Sequence, residues 1–434
     1  MSPERPTLSI CIPTRNRARH LEASLDRLFD KPCLPFPFEV HVSDNASSDE
    51  TPTLVERYAA RGLPLRYHRM AHDVGAQANI LSGLRRAVGT FAVSLADDDA
   101  LIYDQVGEVI DWMHANPQCV ATYGPIDYYD AIRQTSDHLS YTISAPVVVS
   151  PEERCSAAAL IARHQIIPEV PIFRTAILGN ALLPSRNYFI YFQLLDRLLD
   201  LGSIRFLTRP HYRILLRQWE GDDLRSTVSK HADFELWESM YRGAHHFHHA
   251  ALVDGGNKIS AEARRTLDRD FETFANSLRN SAIYTLTMAG RFADAIDAVK
   301  WLAGCGALNR EPDILKQLAA QSTAATFFAV AAILDSSAEL RRILLFRFGS
   351  VAEALVHSFR FLRPEIDVHA IDQPEEIGDR DSALVLTADD GARDMLIAAG
   401  GFPGKIINLA HLARSFDVAP WLALAARMDH DKAD

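Results

Sequence analysis

Between residues 7 and 101, short β-branched apolar runs alternate with helix-patterned segments, and this alternation constrains the fold more than any other feature. "TLSICIP" (7–13) is a strand ended by Pro13, and "RHLEASLDRLF" (19–29) carries its apolar residues at helical spacing. "FEVHVSD" (38–44) is a second strand. "SSDETPTLVERYAAR" (47–61) opens with capping residues and tolerates Pro52 in its first turn. "LRYHRM" (65–70) is a third strand, "GAQANILSGLRRAVG" (75–89) a helix closed by Gly89, and "TFAVSLA" (90–96) a fourth strand. Strands and helices in alternation predict a mostly parallel, helix-covered sheet. Ligands of such sheets bind at the carboxyl ends of the strands, where "CIPTRN" (11–16) and "LADDD" (95–99) both lie.

The rest of the chain divides by pattern. Residues 121–217 mix short strands such as "SIRFL" (203–207) with a helix, "YFIYFQLLDRLLDLG" (188–202). Residues 232–336 read almost wholly helical. One piece (281–304, with Gly290 at its centre) resembles a single tetratricopeptide hairpin, but arrays need about three units, so a plain helical region is expected. After residue 338 strands return in a βαβ pattern. Its first turn, "RFGSVAEA" (347–354), has one glycine where a dinucleotide fingerprint needs G-x-G-x-x-G, so a Rossmann-like module without a dinucleotide is expected. The expected division is 1–225, 226–337 and 338–434.

Composition narrows the partners. Across 434 residues, 45 Lys and Arg face 56 Asp and Glu, a formal charge of -11, which argues against nucleic acid as a partner. Five dispersed cysteines with no C-x-x-C spacing read as reduced thiols. With no secretory h-region and no run of about 18 apolar residues, a cytoplasmic protein is expected. The run "STAATFFAVAAILDSS" (322–337) reads as a buried helix.

The acids at the end of the fourth strand are the first candidate for chemistry. Two carboxylates one residue apart at a strand end can enter one cleft, which sets Asp97 and Asp99 on one face and Asp98 beside them. Mg²⁺ or Mn²⁺ makes such clustering tolerable, since both take carboxylate oxygens and bridge phosphates. The plain alternative is a solvated turn that caps the next helix.

The ordered set "SICIPTRNR", "HVSDNASSDET", "HDVGAQANI" and "TFAVSLADDD" resembles the nucleotide-binding half of the family 2 glycosyltransferases, most densely over 7–101. The resemblance implies an α/β, GT-A, Rossmann-like mixed sheet that binds a nucleotide-diphosphate sugar. Pro13, Thr14 and Arg15 then match the nucleotide loop, and Arg15 or Arg17 approaches the diphosphate. Asp44, followed by Asn45, matches the acid that meets the base, which favours uridine. Gly75 and Asn79 match the segment that lines nucleotide and sugar. Asp97 and Asp99 match the D-x-D motif: Asp97 faces ribose or sugar and joins Asp99 at the metal, with Asp98 supporting them.

The implied reaction is inverting transfer to a hydroxyl of a saccharide, lipid-linked or protein acceptor, in bacterial polysaccharide, lipopolysaccharide or glycan assembly. A membrane-bound acceptor would bring the chain to the inner membrane as a peripheral protein, and a homo-oligomer is compatible with this reading. The family places an acidic base at the start of the helix near Tyr191, which is not an acid. Asp196, further along, is the first substitute, and Glu169 and Asp127 are others. His211, Arg213, Arg217 and Trp219 match an acceptor and diphosphate region. The run with His245, His246, His248 and His249 reads as a solvated helix face, because it lacks H-E-x-x-H and a third ligand. Two other readings stay open. One is a non-catalytic nucleotide-sugar-binding scaffold. The other is a nucleotidyltransferase, disfavoured because "PTRNRAR" has no glycine.

Overall fold

The computed structural model describes residues 5–30, 34–182, 190–219, 234–255, 259–288, 330, 340–362, 366–379, 382–400 and 405–409. The chain forms two compact units, Met1–Leu278 and Arg279–Asp434. The tetratricopeptide-like stretch lies outside the described residues beyond Met288, as does the run 322–337 except Val330.

The first unit is built on the alternation read from the sequence. Strands β1 (Leu8–Thr14), β2 (Phe38–Asp44), β3 (Leu65–Arg69) and β4 (Phe91–Ser94) pair in parallel in the order β3-β2-β1-β4. Helices α1 (Ala18–Asp30), α2 (Thr51–Ala60) and α3 (Ala76–Arg85) make the connections. Leu8, Ile10, Ile12, Val40, Val42, Phe91 and Val93 form a buried apolar face, and Ser9, Cys11, Glu39, His41 and Ser43 are buried on the other, so helices cover both sides of the sheet. Gly89 lets the chain enter β4 against β1: a Cβ there would lie 2.8 Å from the Ser9 amide nitrogen. Polar groups inside this layer are paired. Ser9 donates to Glu39 at 2.6 Å and accepts from the Gly89 N–H at 2.9 Å.

Beyond β4 the sheet becomes mixed. After β5 (Ala100–Leu101) and α4 (Tyr103–Ala115) come β6 (Cys119–Tyr123), β7 (Ile126–Asp130), β8 (Thr135–Leu139), β9 (Val147–Val149) and α5 (Arg154–His164). Strand β10 (Ile172–Arg174) runs antiparallel between β4 and β6. Short α6 (Leu178–Ala181) and α7 (Tyr191–Leu201) lead to β11 (Ser203–Phe206), which completes an eight-stranded sheet ordered β3-β2-β1-β4-β10-β6-β11-β9. Strand β12 (Tyr212–Arg217) joins β5, β7 and β8 in a second, four-stranded sheet. This is the mixed α/β arrangement expected for a GT-A chain.

Helices α8 (Phe234–Gly255) and α9 (Ala261–Met288) follow. Of the α8 histidines, His246 and His249 are exposed, while His245 and His248 pack. His248 stacks on Phe271, with centroids 4.0 Å apart, and pairs with Asp268 at 3.0 Å, while His245 stands edge-on to Phe271. The buried Arg154 of α5 ties this layer together: it hydrogen-bonds Asp196 and Asp200 of α7 and lies 3.8 Å from Asp254 of α8.

The second unit contains the expected βαβ module. Strands β13 (Arg342–Phe346), β14 (Asp367–Ile371), β15 (Ala383–Thr387) and β16 (Ile406–Asn408) are all parallel, in the order β14-β13-β15-β16. Helices α10 (Ala352–Leu362) and α11 (Asp390–Ala398) connect them. Asp389 caps α11 by accepting from the Ala392 N–H at 2.8 Å.

Two consequences are measurable. Arg154→Met leaves the part-buried Asp196 without its cation and is expected to lower stability by about 2–3 kcal/mol, read as an earlier midpoint in urea unfolding. His211 is buried where a Cβ on Gly124 would come within 2.6 Å of its Nδ1, and burial pushes its pKa down to about 4 from 6.5. A depressed histidine stabilises the fold fully above pH 6.5 and loses that contribution as pH falls through about 4. Unfolding free energy should decline over this window by up to about 3 kcal/mol, and His211→Gln should flatten the decline.

Candidate functional site

The parallel register sets the ends of β1, β2 and β4 side by side. Thr14 is level with Asp44 across β1 and β2, and Cys11 with Ser94 across β1 and β4. Three loops therefore leave the sheet at one edge: 14–18, 44–50 and 95–100. They are bonded to one another. Asn16 adopts a left-handed φ of 51°, its N–H donates to the Ser47 hydroxyl at 2.9 Å, and its carboxamide accepts from the Ser48 N–H at 2.7 Å. Asp49 reaches across from the second loop to cap α1, accepting from the Ala18 N–H at 2.9 Å.

Asp97, Asp98 and Asp99 are all buried. They lie beyond β4 in a turn closed by the Asp99 N–H donating to the Ala96 carbonyl at 3.1 Å. Period-two alternation stops with the strand, so the expected pairing of Asp97 with Asp99 is not the one found. Arg17 instead bridges Asp97, at 2.9 Å, and Asp98. Asp97 also accepts from the Thr14 hydroxyl at 2.7 Å. Burial, with the adjacent Asp98 charge, raises Asp97 to about 6 against the pull of Arg17. Asp99 turns the other way. It accepts from the Tyr212 hydroxyl at 2.9 Å and from the Leu215 N–H at 3.3 Å. Arg27 donates to its carbonyl at 3.0 Å. Gln218, just past β12, donates to the Asp98 carbonyl, and Trp219 lies 3.8 Å beneath the Arg19 guanidinium and edge-on to His20. The second sheet thus closes the acid turn from one side.

The second loop separates into an inner brace and an outer rim. Asp44 is fully buried, accepting from the Ser47 N–H at 2.8 Å and the Tyr67 hydroxyl at 2.5 Å. Asn79 is internal too: its carboxamide exchanges 2.8 Å hydrogen bonds with the Ser43 hydroxyl and carbonyl. The rim is Arg15, Asn45 and Asp73. Asp73 pairs with Arg15, accepts from Asn45 at 2.6 Å and holds the Gly75 N–H at 2.9 Å. Gly75 has φ 82°, which favours glycine, and it starts α3. Pro13 is part-buried, beside Thr14 at the end of the otherwise buried β1.

Several residues expected near acceptor or diphosphate are committed elsewhere. Arg213 pairs with Asp127 at 2.7 Å, and Arg217 with Asp130 at 3.1 Å, both between β7 and β12. Asp196 is bound by Arg154 and lies 3.5 Å from His246, so the first substitute for the helix acid is an ion-pair member between helices. Tyr191 begins α7 and faces Gln77, Ser94, Val170 and Phe173 around a small apolar cavity. Among the described residues, no three His, Cys, Asp or Glu side chains are already arranged to hold a metal. Asp73, Gln218 and Tyr212 shape the site more than their sequence patterns indicated. Only their place beside the strand-end signatures could have flagged them.

Comparison with known proteins adds a family. The chain is 31% identical over 100 residues to Abequosyltransferase RfbV of Salmonella typhimurium, a stretch covering 23% of this chain and 30% of that relative. The match therefore spans under a third of the curated relative. Among solved structures, Staphylococcus aureus TarS 1-349 in complex with UDP-GlcNAc is 17% identical with a TM-score of 0.42, over 67% of this chain and 89% of that one. The mannosyltransferase PcManGT from Pyrobaculum calidifontis, in complex with GDP-Man and Mn²⁺, is 18% identical with a TM-score of 0.41, over 76% and 81%. The model of the family described as Glycosyl transferase family 2 matches residues 9–166. The three joined loops and the acid turn all fall inside the span that matches this family.

Proposed function

We propose that the chain is an inverting glycosyltransferase that moves a sugar from a nucleotide-diphosphate donor to a hydroxyl of a saccharide, lipid-linked or protein acceptor. One observation carries the reading: three strand-end loops of a family 2 segment meet around three buried carboxylates. Such a cluster is costly in a merely structural turn and suits a site that handles phosphate and cation. The donor is assigned as a UDP-sugar. A carboxylate that accepts the uracil N–H must be reachable, and Asp73, 40% exposed beside Asn45 and Arg15, meets that condition where the buried Asp44 does not.

A divalent cation, Mn²⁺ or Mg²⁺, fits the donor chemistry of Asp97 and Asp99 with Asp98 alongside, since all are hard oxygen ligands. When bound, it offsets the charge that grows on the departing diphosphate. In this arrangement the Arg17 guanidinium holds the Asp97 and Asp98 oxygens, so these carboxylates would bind a cation only in competition with it. Once released, Arg17 is free to meet the diphosphate, where a guanidinium binds in bidentate fashion. Thr14 and the Arg17 bridge orient Asp97, and Tyr212 and the Leu215 N–H orient Asp99.

The place of action is assigned to bacterial polysaccharide, lipopolysaccharide or glycan assembly on the cytoplasmic side of the membrane. No helix among the described residues is long and apolar enough to cross a membrane, so an inner-membrane acceptor would be met peripherally. A second reading, a non-catalytic nucleotide-sugar-binding scaffold, draws on Tyr191 where the family helix acid was expected and on the engaged Asp196. Incubation with UDP-, GDP- and CDP-hexoses plus Mn²⁺ separates the two: release of free nucleotide supports the transferase, and tight binding without release supports the scaffold.

Asp99→Asn is expected to lower transfer about 100-fold or more with the circular dichroism spectrum unchanged, and full activity would overturn the site assignment. Arg17→Gln is expected to bind Mn²⁺ about tenfold more tightly by titration calorimetry, because the competing guanidinium is gone. Equal affinity in variant and wild type would show that Arg17 and metal do not compete.

A further inference from the structure

With Tyr191 at the start of α7 and Asp196 held by Arg154, proton removal from the acceptor needs another group. The segment before β10 brings one to the acid turn. Strand β10 lies antiparallel to β4, with Phe173 opposite Ala92 and Arg174 opposite Phe91. Just before β10, Val170 and Pro171 line the small cavity that Ser94, the last residue of β4, and Tyr191 also line. Glu169 precedes them, within reach of the Asp99 charge.

The segment is pinned there. The His211 ring nitrogen Nε2 meets the Val170 carbonyl at 3.0 Å, which joins it to the start of β12. The Glu169 N–H donates to the Ile167 carbonyl at 2.9 Å in a tight turn. Val170 holds a left-handed φ of 47°, a conformation that a β-branched residue adopts only under constraint. These features fix the direction of the chain at Glu169.

The surroundings of its carboxyl are those of a working acid, not of a structural ion pair. Glu169 is part-buried, and among the described residues no Lys, Arg or His forms an ion pair with it. Its charge is felt by the phenols of Tyr128 and Tyr191, and the charge of Asp99 is felt by Glu169 in turn. Burial first, and the Asp99 charge second, push its pKa up to about 7. A carboxyl set against another acid without a cation works against stability, and such placements concentrate at functional sites.

We propose that Glu169 takes the proton from the acceptor hydroxyl, an assignment that rests on the glycosyl-transfer reading above. As the acceptor oxygen forms its bond to the anomeric carbon, the bond from that carbon to the diphosphate oxygen breaks and its electron pair leaves with the diphosphate. The acceptor O–H bond breaks and its proton passes to the Glu169 carboxylate.

The test uses the full chain with Mn²⁺ and a panel of UDP-, GDP- and CDP-hexoses, water as acceptor, and nucleotide release as the signal. Azide then serves as a nucleophile that has no proton to lose. Glu169→Ala and Glu169→Gln are expected to lower kcat about 100-fold, with nucleotide affinity within twofold of wild type. Azide should restore release in Glu169→Ala, with a glycosyl azide as product. Retained kcat in either variant, or a fall that azide does not restore while nucleotide affinity is kept, overturns the assignment. A fall in nucleotide affinity as large as the fall in kcat overturns it too, because it marks a structural role. If the wild-type chain turns over no donor, the glycosyl-transfer reading itself fails, a result distinct from any behaviour of the variants.

Discussion

Three consecutive carboxylates buried in one turn repel each other, and the arrangement of the first unit is organised around making that tolerable. Arg17 bridges Asp97 and Asp98, Thr14 donates to Asp97, and Tyr212 and the Leu215 N–H hold Asp99. These partners come from two parts of the sequence, residues 14–17 and 212–215, both far from the turn they hold. The turn therefore forms only when the loop after β1, the end of β4 and strand β12 are together. Removing one partner leaves a buried carboxylate short of compensation, which is costlier than never having placed it there.

The scaffold that delivers those partners is plain physical chemistry. Parallel pairing at fixed register puts Thr14, Asp44 and the residues after Ser94 at one edge. Cross-loop bonds then do what a single loop cannot: Asp49 of one loop caps the helix that follows another, and Asn16 and Ser47 lock the two together. A site built this way has its strand ends held by buried apolar residues and its loops held by hydrogen bonds. Side chains at the rim, such as Arg15 and Asp73, stay half-exposed and free to exchange partners with a ligand.

What could be read in the sequence follows from whether the information is local. The strands and helices over 7–101 were legible because β-branched runs, capping residues and helical spacing are properties of adjacent residues. The acid turn stood out as a candidate site because it came fourth in an ordered set. Its internal geometry was not legible, since alternation ends with Ser94 and the turn sends Asp98, rather than Asp99, to join Asp97 on Arg17. Arg213, Arg217 and Asp127 were candidates for acceptor, diphosphate or base roles, but Arg213 pairs with Asp127 and Arg217 with Asp130 across β7 and β12, between residues 86 and 87 apart. Asp44 and Asn79 stood in the expected places, yet both face inward to brace the loop.

Asp196 and Glu169 show how tertiary context reverses a local preference. On the helix, Asp196 is the acid closest to the expected position, and it is answered by Arg154 from a neighbouring helix. Burial raises the proton affinity of Asp196 against the pull of Arg154, but the bond to that guanidinium holds the carboxylate between helices. Glu169 has a weaker local claim, sitting in a short loop with no motif around it. The antiparallel insertion of β10 between β4 and β6 changes its standing, because the segment leading into β10 lines the cavity beside Ser94 and Tyr191. In that segment Val170 holds a left-handed conformation, and its carbonyl meets the buried His211 ring. A chain that accepts this strain and a buried histidine to hold one acid within reach of Asp99 is using the placement, and proton transfer at the acceptor is the use that matches its chemistry.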